Sequence, residues 1–404
     1  MTEAYIAAVA RSPIGRARKG SLVGMRPDDL AAQMVAAALT QLPGLDPDRI
    51  DDLLLGTGQP AGEQGFNLAR IVAVLLGWDT VPGTTVNRYC SSSLQTTRMA
   101  FHAIRAGEGD VFVSAGVESV SRYAAGASDL PTAVNPRFAS ALAASAERAA
   151  AGTPVWRDPR DTGLLPDPYI AMGQTAENVA QLRGVTRDDQ DAFAARSQQR
   201  AEAAIASGFW AREITPVTLP DGTIVSADDG PRPGVTVEAL AALEPVFRPD
   251  GTVTAGNCCP LNDGAAALVV VSERIVDELG IRPLARIVAT GVSGLSPEIM
   301  GLGPVAASRR ALDRAGLTID DMDLVEINEA FAAQVLPSAR ELGVDPQRLN
   351  VHGGAIAVGH PFGMTGARIT ATLLNGLDAV GGRYGLETMC VGGGQGMAMV
   401  IERV

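Results

Sequence analysis

Two stretches far apart in the chain carry the same order of features. ALTQLPGLDPDRIDDLLLGTGQP, from Ala38, and RRALDRAGLTIDDMDLVEINEAF, from Arg309, both run from a helix through a Gly-Leu turn and an acidic cap into a buried strand with a polar tip. DVFVSAGVES near 110 matches TMCVGGGQG near 388 in the same way, and the helix after Cys90 matches the one after His360. Self-similarity of this kind is economically explained by an internal duplication. Two similar halves packed together would bring corresponding helix starts, at Cys90 and His360, towards a common centre.

Within each half, short strand-like runs alternate with helical ones, the pattern of an α/β protein with a mostly parallel sheet covered on both faces. The first half reads as Tyr5 to Ala10, a helix from Asp28 to Leu42, a strand from Ile50 to Gly56, a helix near Asn67 to Leu76, and a buried strand from Asp110 to Gly116. Between 121 and 260 the texture changes, with prolines at 131, 136, 154, 166 and 168 and two amphipathic helices near Ala176 to Gly184 and Arg187 to Ser207. Apolar faces on those helices argue for an inserted loop domain rather than disorder. The expected organisation is therefore a first half of residues 1–120 plus 261–281, an insertion of 121–260, and a second half of 282–404.

Composition removes several classes of function. Net charge is −12 without a long acidic run, which excludes general nucleic-acid binding. Lys19 is the single lysine, so a phosphate-loop lysine is excluded and Schiff-base chemistry has almost no scope. Three histidines and four cysteines without CxxC spacing make a metal site or disulfide framework improbable. No apolar run approaches the roughly 18 residues of a membrane span. The opening MTEAYIAAVARSPIG has no basic start followed by a hydrophobic block, and a cytoplasmic protein is expected.

Chemistry must then come from Cys, His, carboxylates, Asn and backbone N–H groups. In VNRYCSSSLQ, Cys90 ends a β-like run and opens an apolar helix. A thiol there faces unpaired N–H groups and the positive end of the helix dipole, so its pKa is expected to fall below the free value of about 8.5. In GHPFGMTGAR, His360 lies among small residues, with Pro361 as if at a first helical position, where an imidazole can take a proton near neutral pH. ETMCVGGGQG ends a strand in Cys390 and a glycine run whose N–H groups suit an oxyanion hole. INEAFA puts Asn328 at the tip of the matching strand.

Taken singly, these residues have plainer readings: a small buried cysteine, a satisfied core histidine, a tight turn, a helix N-cap. His102, mid-helix, reads as structural and His352 as a turn residue. Two GxGxxA loops, Gly56-Gly58-Ala61 and Gly301-Gly303-Ala306, are weak dinucleotide signals because a proline interrupts each. Together, two thiols and an imidazole with no metal spacing suggest covalent thioester chemistry with separate nucleophile and proton carrier.

Over essentially its whole length the sequence resembles the thiolases. The resemblance rests on NRYCSSSLQ, AMGQTAENVA from Ala171, TAGNCCPLNDGAAA from Thr254, MGLGP from Met300, INEAFA, GGAIAVGHPFGMTGAR and CVGGGQG, in family order. It implies a five-layered α-β-α-β-α sandwich of two duplicated halves with an inserted loop domain, and a homodimer or homotetramer. Carried over by residue, it implies that Cys90 takes the acyl group, that His360 activates Cys90 or the CoA thiol, and that Cys390 exchanges the α-carbon proton. Asn328, through a water, and His360 would form one oxyanion hole; the N–H groups of Cys90 and Gly392 would form the other. Met172, Ala255, Cys259, Met300 and Phe331 would line the CoA and substrate path. CoA and acyl-CoA are substrates, and no resident cofactor is implied.

Departures from the family pattern shape the expected specificity. Ala171 stands where biosynthetic acetoacetyl-CoA enzymes often have His, which leans towards a degradative 3-ketoacyl-CoA thiolase of fatty acid or related β-oxidation. Cys259 replaces a serine that touches the pantetheine, SSS replaces a more glycine-rich run after Cys90, and Met364 replaces a frequent cysteine. The biosynthetic thiolase is the nearest rival. Decarboxylating ketoacyl synthases are disfavoured by the second cysteine, and a non-catalytic acyl-CoA or sterol carrier is a remote alternative.

Overall fold

A computed structural model describes residues 2–126, 128–151 and 155–404, so Pro154 lies outside it. The first half contains β1 (Ala4–Arg11), β2 (Gly15–Arg16), α1 (Pro27–Leu39), β3 (Asp52–Gly56), α2 (Leu68–Leu75), β4 (Gly83–Val86), α3 (Ser92–Ala106) and β5 (Val111–Ser119). The intervening segment carries α4 (Ala139–Ala151), α5 (Met172–Arg183), α6 (Arg187–Ala206), α7 (Phe209–Glu213), the ribbon β6 (Val217–Thr218) and β7 (Ile224–Val225), and α8 (Val237–Ala241). The chain then returns through β8 (Asn262–Ser272) and α9 (Glu273–Leu279). It continues as β9 (Ala285–Gly294), α10 (Gly303–Ala315), β10 (Leu324–Ile327), α11 (Ala332–Leu342), α12 (Ala355–Val358), α13 (Thr365–Val380), β11 (Tyr384–Val391) and β12 (Gln395–Arg403).

Strand order is β10-β11-β12-β9-β1-β8-β5-β3-β4, with β2 paired to β8. The two ends mirror one another. β3 and β5 pair in parallel, as do β10 and β11, and each parallel pair is followed by an antiparallel strand, β8 or β12. The duplication read from the sequence is thus present in the strand order. The half-sheets join where Tyr5 and Ile6 pair with Arg286 and Ala285, and the Leu284 N–H donates to the Ile6 carbonyl at 2.8 Å.

Layering follows from which faces are apolar. β8 is buried along its whole length, and its side chains alternate between two cores, Leu268 and Val270 on one side, Val269 and Val271 on the other. A strand covered on both faces can be this continuously hydrophobic. One core joins β1, β3, β5 and β8 to α1 and α2; another joins β10, β11 and β12 to α10 and α11. The middle core packs α3 and α13 between the half-sheets, through Leu94, Ile104, Ile369, Leu373 and Leu377. These are the five layers expected, with mixed rather than mostly parallel strand directions because β8, β9 and β12 run against their neighbours.

Candidate active site

Both central helices begin at the carboxyl ends of parallel strands, where open α/β sheets place ligands. β4 leads into a tight turn, Tyr89–Ser91, before α3 starts at Ser92, so Cys90 sits in the turn. Tyr89 is held at φ 45°, in the left-handed region. Ser92 Oγ accepts from the Arg88 N–H at 2.9 Å and donates to the Tyr89 carbonyl at 2.7 Å, while Ser93 Oγ accepts from the Ala367 N–H of α13 at 3.0 Å. The serines after Cys90 therefore fasten the two helix starts.

Glycines let these parts approach. A Cβ on Gly56 would press into the backbone of Ser92 and Ser93, and one on Gly116 into the Gly363 carbonyl and Ser93. Gly58 donates its N–H to Glu118 at 2.7 Å. Neither feature belongs to a phosphate cradle. In the second GxGxxA loop, Gly303 lies against the backbone of Gln395 and Gly396 for the same reason of space.

Burial reverses the expectation for the Cys90 thiol. Its pKa is pushed up to about 11, because desolvation outweighs the N–H groups of Gly392 and of Cys90 itself, which favour the thiolate. The helix start contributes, but a sulfur cut off from water loses more than the dipole returns. Cys390 is fully buried at the end of β11 and its thiol is also raised, by burial and by the nearby Cys90. Both groups are thiols at neutral pH.

His360 lies in the turn before α13, five residues ahead of its first helical residue, so Pro361 is not the first residue of the helix. Its backbone N–H donates to Asn262 Oδ1 at 2.9 Å, and Gly359, at φ 114°, admits the Asn262 side chain where a Cβ would collide. Nδ1 is 2.6 Å from the Thr365 hydroxyl, and Nε2 is 3.2 Å from Asn328 Nδ2. Burial, with Arg368 nearby, lowers the imidazole to about 3 rather than leaving it near neutrality. It is a neutral ring, suited to accept a proton only when a reacting thiol supplies one.

Asn328 stands just past β10, with its N–H bonded to the Thr388 carbonyl at 3.0 Å and its carbonyl accepting from Gln334 Nε2 at 2.7 Å. Its Oδ1 is buried and has no partner. With the backbone fixed on both sides and the side-chain nitrogen against the imidazole, the unpartnered Oδ1 is a ready acceptor for a water or substrate donor.

The remaining candidates divide. Cys259 donates its N–H to the Ala330 carbonyl at 3.0 Å, and neighbouring Cys258 forms an isolated bridge with Phe331. Cys259 feels Cys258, Cys90 and Cys390, so all four thiols share one region. Met300, Phe331 and Cys390 belong to one apolar cluster, against which Met172 and Cys259 pack. Ala255 is exposed and edges a small cleft with Arg16, Arg232 and Cys258. His102 is exposed on α3; His352 lies in a turn and stacks on Phe209 at 3.6 Å.

Two residues went unnoticed in the sequence. Glu118, at the end of β5, accepts from Gly58 N at 2.7 Å, Gly363 N at 2.8 Å, Gln64 Nε2 at 2.6 Å and the Tyr123 hydroxyl at 2.7 Å. One buried carboxylate thereby ties the His360 turn to the half that carries Cys90. Its only signal was an acid at the end of a buried strand. The other is Thr365, inside a motif singled out for its histidine.

With this geometry in view, comparison with known proteins is decisive. Residues 4–274 match the thiolase N-terminal domain, and residues 281–403 the thiolase C-terminal domain. The chain belongs to the thiolase family. A beta-ketoadipyl-CoA thiolase of Escherichia coli is 46% identical over 411 residues, covering 100% of both chains. A 3-ketoacyl-CoA thiolase of Bacillus subtilis is 42% identical over 415 residues, with 100% of both covered. Among solved structures, human mitochondrial 3-ketoacyl-CoA thiolase superposes with a TM-score of 0.85 at 36% identity, covering 100% of this chain and 99% of that one. The Bacillus anthracis acetyl-CoA acetyltransferase gives 0.84 at 38% identity, with the same coverage. Thiolase chemistry is acyl transfer between acyl-CoA and CoA. Among the described residues of this thiolase no group of His, Cys, Asp and Glu is arranged to hold a metal, and no helix is long and apolar enough to cross a membrane.

Proposed function

We propose that this thiolase works in the degradative direction, converting a 3-ketoacyl-CoA and CoA into acetyl-CoA and an acyl-CoA shortened by two carbons. The observation that carries the reading is two buried thiols, Cys90 and Cys390, close enough to perturb one another, at the strand ends that also hold the neutral His360 and Asn328.

Cys90 Sγ attacks the 3-keto carbon as its proton passes to His360. The oxyanion is met by the N–H groups of Cys90 and Gly392. The bond between C2 and C3 breaks, the acyl group stays on sulfur, and the acetyl-CoA enolate is held by His360 and an Asn328-bound water while Cys390 protonates its carbon. CoA then attacks the acyl-cysteine. His360 returns its proton to the Cys90 sulfur, and the CoA thiol's proton restores Cys390. Proton and electron pairs balance without a redox partner.

Chain preference is part of the proposal. Ala171 caps α5 with a methyl group and no side-chain hydrogen bond, and relatives named for β-ketoadipyl-CoA and 3-ketoacyl-CoA share the full length. Dicarboxylic 3-ketoacyl chains therefore stand beside those of fatty acid β-oxidation as substrates, with Ala255 and Cys259 on the CoA side of the path and the 121–260 segment covering it. We extend the reading to a cytoplasmic homodimer or homotetramer. Its support is the unpaired edge of β4 and the 95% exposed Phe66, next to Asn67, which bonds Gly83 of that strand.

Thiolysis rates on 3-oxoadipyl-CoA, 3-oxohexanoyl-CoA, a long-chain 3-ketoacyl-CoA and acetoacetyl-CoA test the reading. Turnover of six-carbon or longer substrates is expected to exceed that of acetoacetyl-CoA, and turnover confined to the four-carbon substrate would make the enzyme biosynthetic.

A further inference from the structure

We propose that Thr365 is a positioning residue that fixes the tautomer of His360. The Thr365 hydroxyl has one proton to give. It lies 2.7 Å from the Pro361 carbonyl oxygen, which can only accept, and 2.6 Å from His360 Nδ1. Placing that proton on the carbonyl leaves the hydroxyl oxygen as an acceptor towards the ring, so Nδ1 carries the imidazole hydrogen. Nε2 is then the bare nitrogen, and at 3.2 Å it faces the Asn328 amide nitrogen, a donor. The other tautomer would set Nε2–H against the Asn328 N–H donors and leave the Pro361 carbonyl oxygen and a bare Nδ1 competing for one hydroxyl proton. The Pro361 carbonyl is itself anchored, accepting from the Met364 and Thr365 N–H groups at 3.1 and 3.0 Å.

The consequence concerns the direction of proton transfer. An Nε2 lone pair is available to a thiol only while Nδ1 keeps its hydrogen, and a neutral hydroxyl enforces this without adding charge. Both ring partners are uncharged, a hydroxyl and an amide. Burial disfavours the imidazolium further, so a protonated ring returns its proton readily. A carboxylate at the Thr365 position would instead stabilise the imidazolium and slow that return.

This inference rests on His360 as the proton carrier, and its test separates the two. The chain has only three histidines, so 15N-histidine long-range correlation spectra of the full-length enzyme resolve each ring. His360 is expected as the Nδ1–H tautomer in the parent and in Thr365→Ser. In Thr365→Val it is expected to lose that single form, with kcat reduced on the order of tenfold to a hundredfold, the scale known when metal-bound imidazoles lose the partner of their second nitrogen. KM should change much less, and Ser should restore kcat. Thr365→Ala serves where Val does not fold, and the parent spectrum needs no variant. An Nε2–H tautomer in the parent, or an unchanged ring in Val or Ala, overturns the assignment whatever the rates; correct tautomers with unchanged kcat would instead remove His360 from proton transfer.

Discussion

Asn328 Nδ2 and His360 Nε2 face one another at 3.2 Å, Asn328 held from behind by β11 and α11 of the same half and His360 by Asn262 of β8 in the other half. Asn328→Ala is expected to lower kcat for thiolysis on the order of a hundredfold, the scale of losing an oxyanion donor. Acylation of Cys90 by acetyl-CoA, seen by intact mass, should persist. Near-parental kcat would show that the amide does not serve the enolate.

Because burial holds Cys90 at about 11, its alkylation should keep accelerating as pH rises from 7 to 10 instead of levelling near the free thiol value. The rate of iodoacetamide inactivation, with peptide mapping to Cys90, measures this. A plateau below pH 8 would mean that the helix start and the Gly392 N–H outweigh desolvation after all.

Glu387 is buried on β11, accepts from Thr370 at 2.8 Å through one oxygen, and has its other oxygen unpartnered; its pKa is raised to about 8, chiefly by burial. Between the unfolded carboxyl value and about 8, the folded state binds more protons than the unfolded one, so stability falls as pH rises through that window. Glu387→Gln imitates the protonated form. Its melting temperature should exceed the parent's at pH 9 and match it near pH 5, and a lower value at pH 9 would show that the charged carboxylate is compensated.

Gly116→Ala tests the close approach of β5 to the His360 turn. The added methyl meets the Gly363 carbonyl and Ser93, neither of which can retreat without moving a helix start. A loss of about 1–3 kcal/mol in denaturant unfolding is expected, with a fall in kcat because the displaced turn carries His360. Parental stability and turnover would mean that the two halves yield more easily than their packing implies.

Much of the fold could be read in advance because its signals are local. Periodicity placed α1, α5 and α6 to within a few residues, and the repeated helix–turn–strand pattern anticipated that β3 and β5 would find counterparts in β10 and β11. The protonation of Cys90 and His360 was misjudged in both cases, since desolvation depends on everything packed around a group and not on its neighbours in the chain. Glu118 escaped notice because its donors come from three separate stretches of chain, residues 57–64, Tyr123 and Gly363.

The sequence alone determined which chemical groups are present, their place at strand ends and helix starts, and the duplication that sets them opposite one another; all of these follow from short-range patterns of side-chain size, polarity and turn residues. Tertiary structure decided the state of those groups. Enclosure between two half-sheets keeps Cys90 a thiol and His360 neutral, and the Thr365 hydroxyl and Asn328 amide, brought to opposite sides of one ring, determine which nitrogen is bare. Charge and tautomer depend on solvent exclusion and on partners distant in sequence, and only the folded chain supplies both.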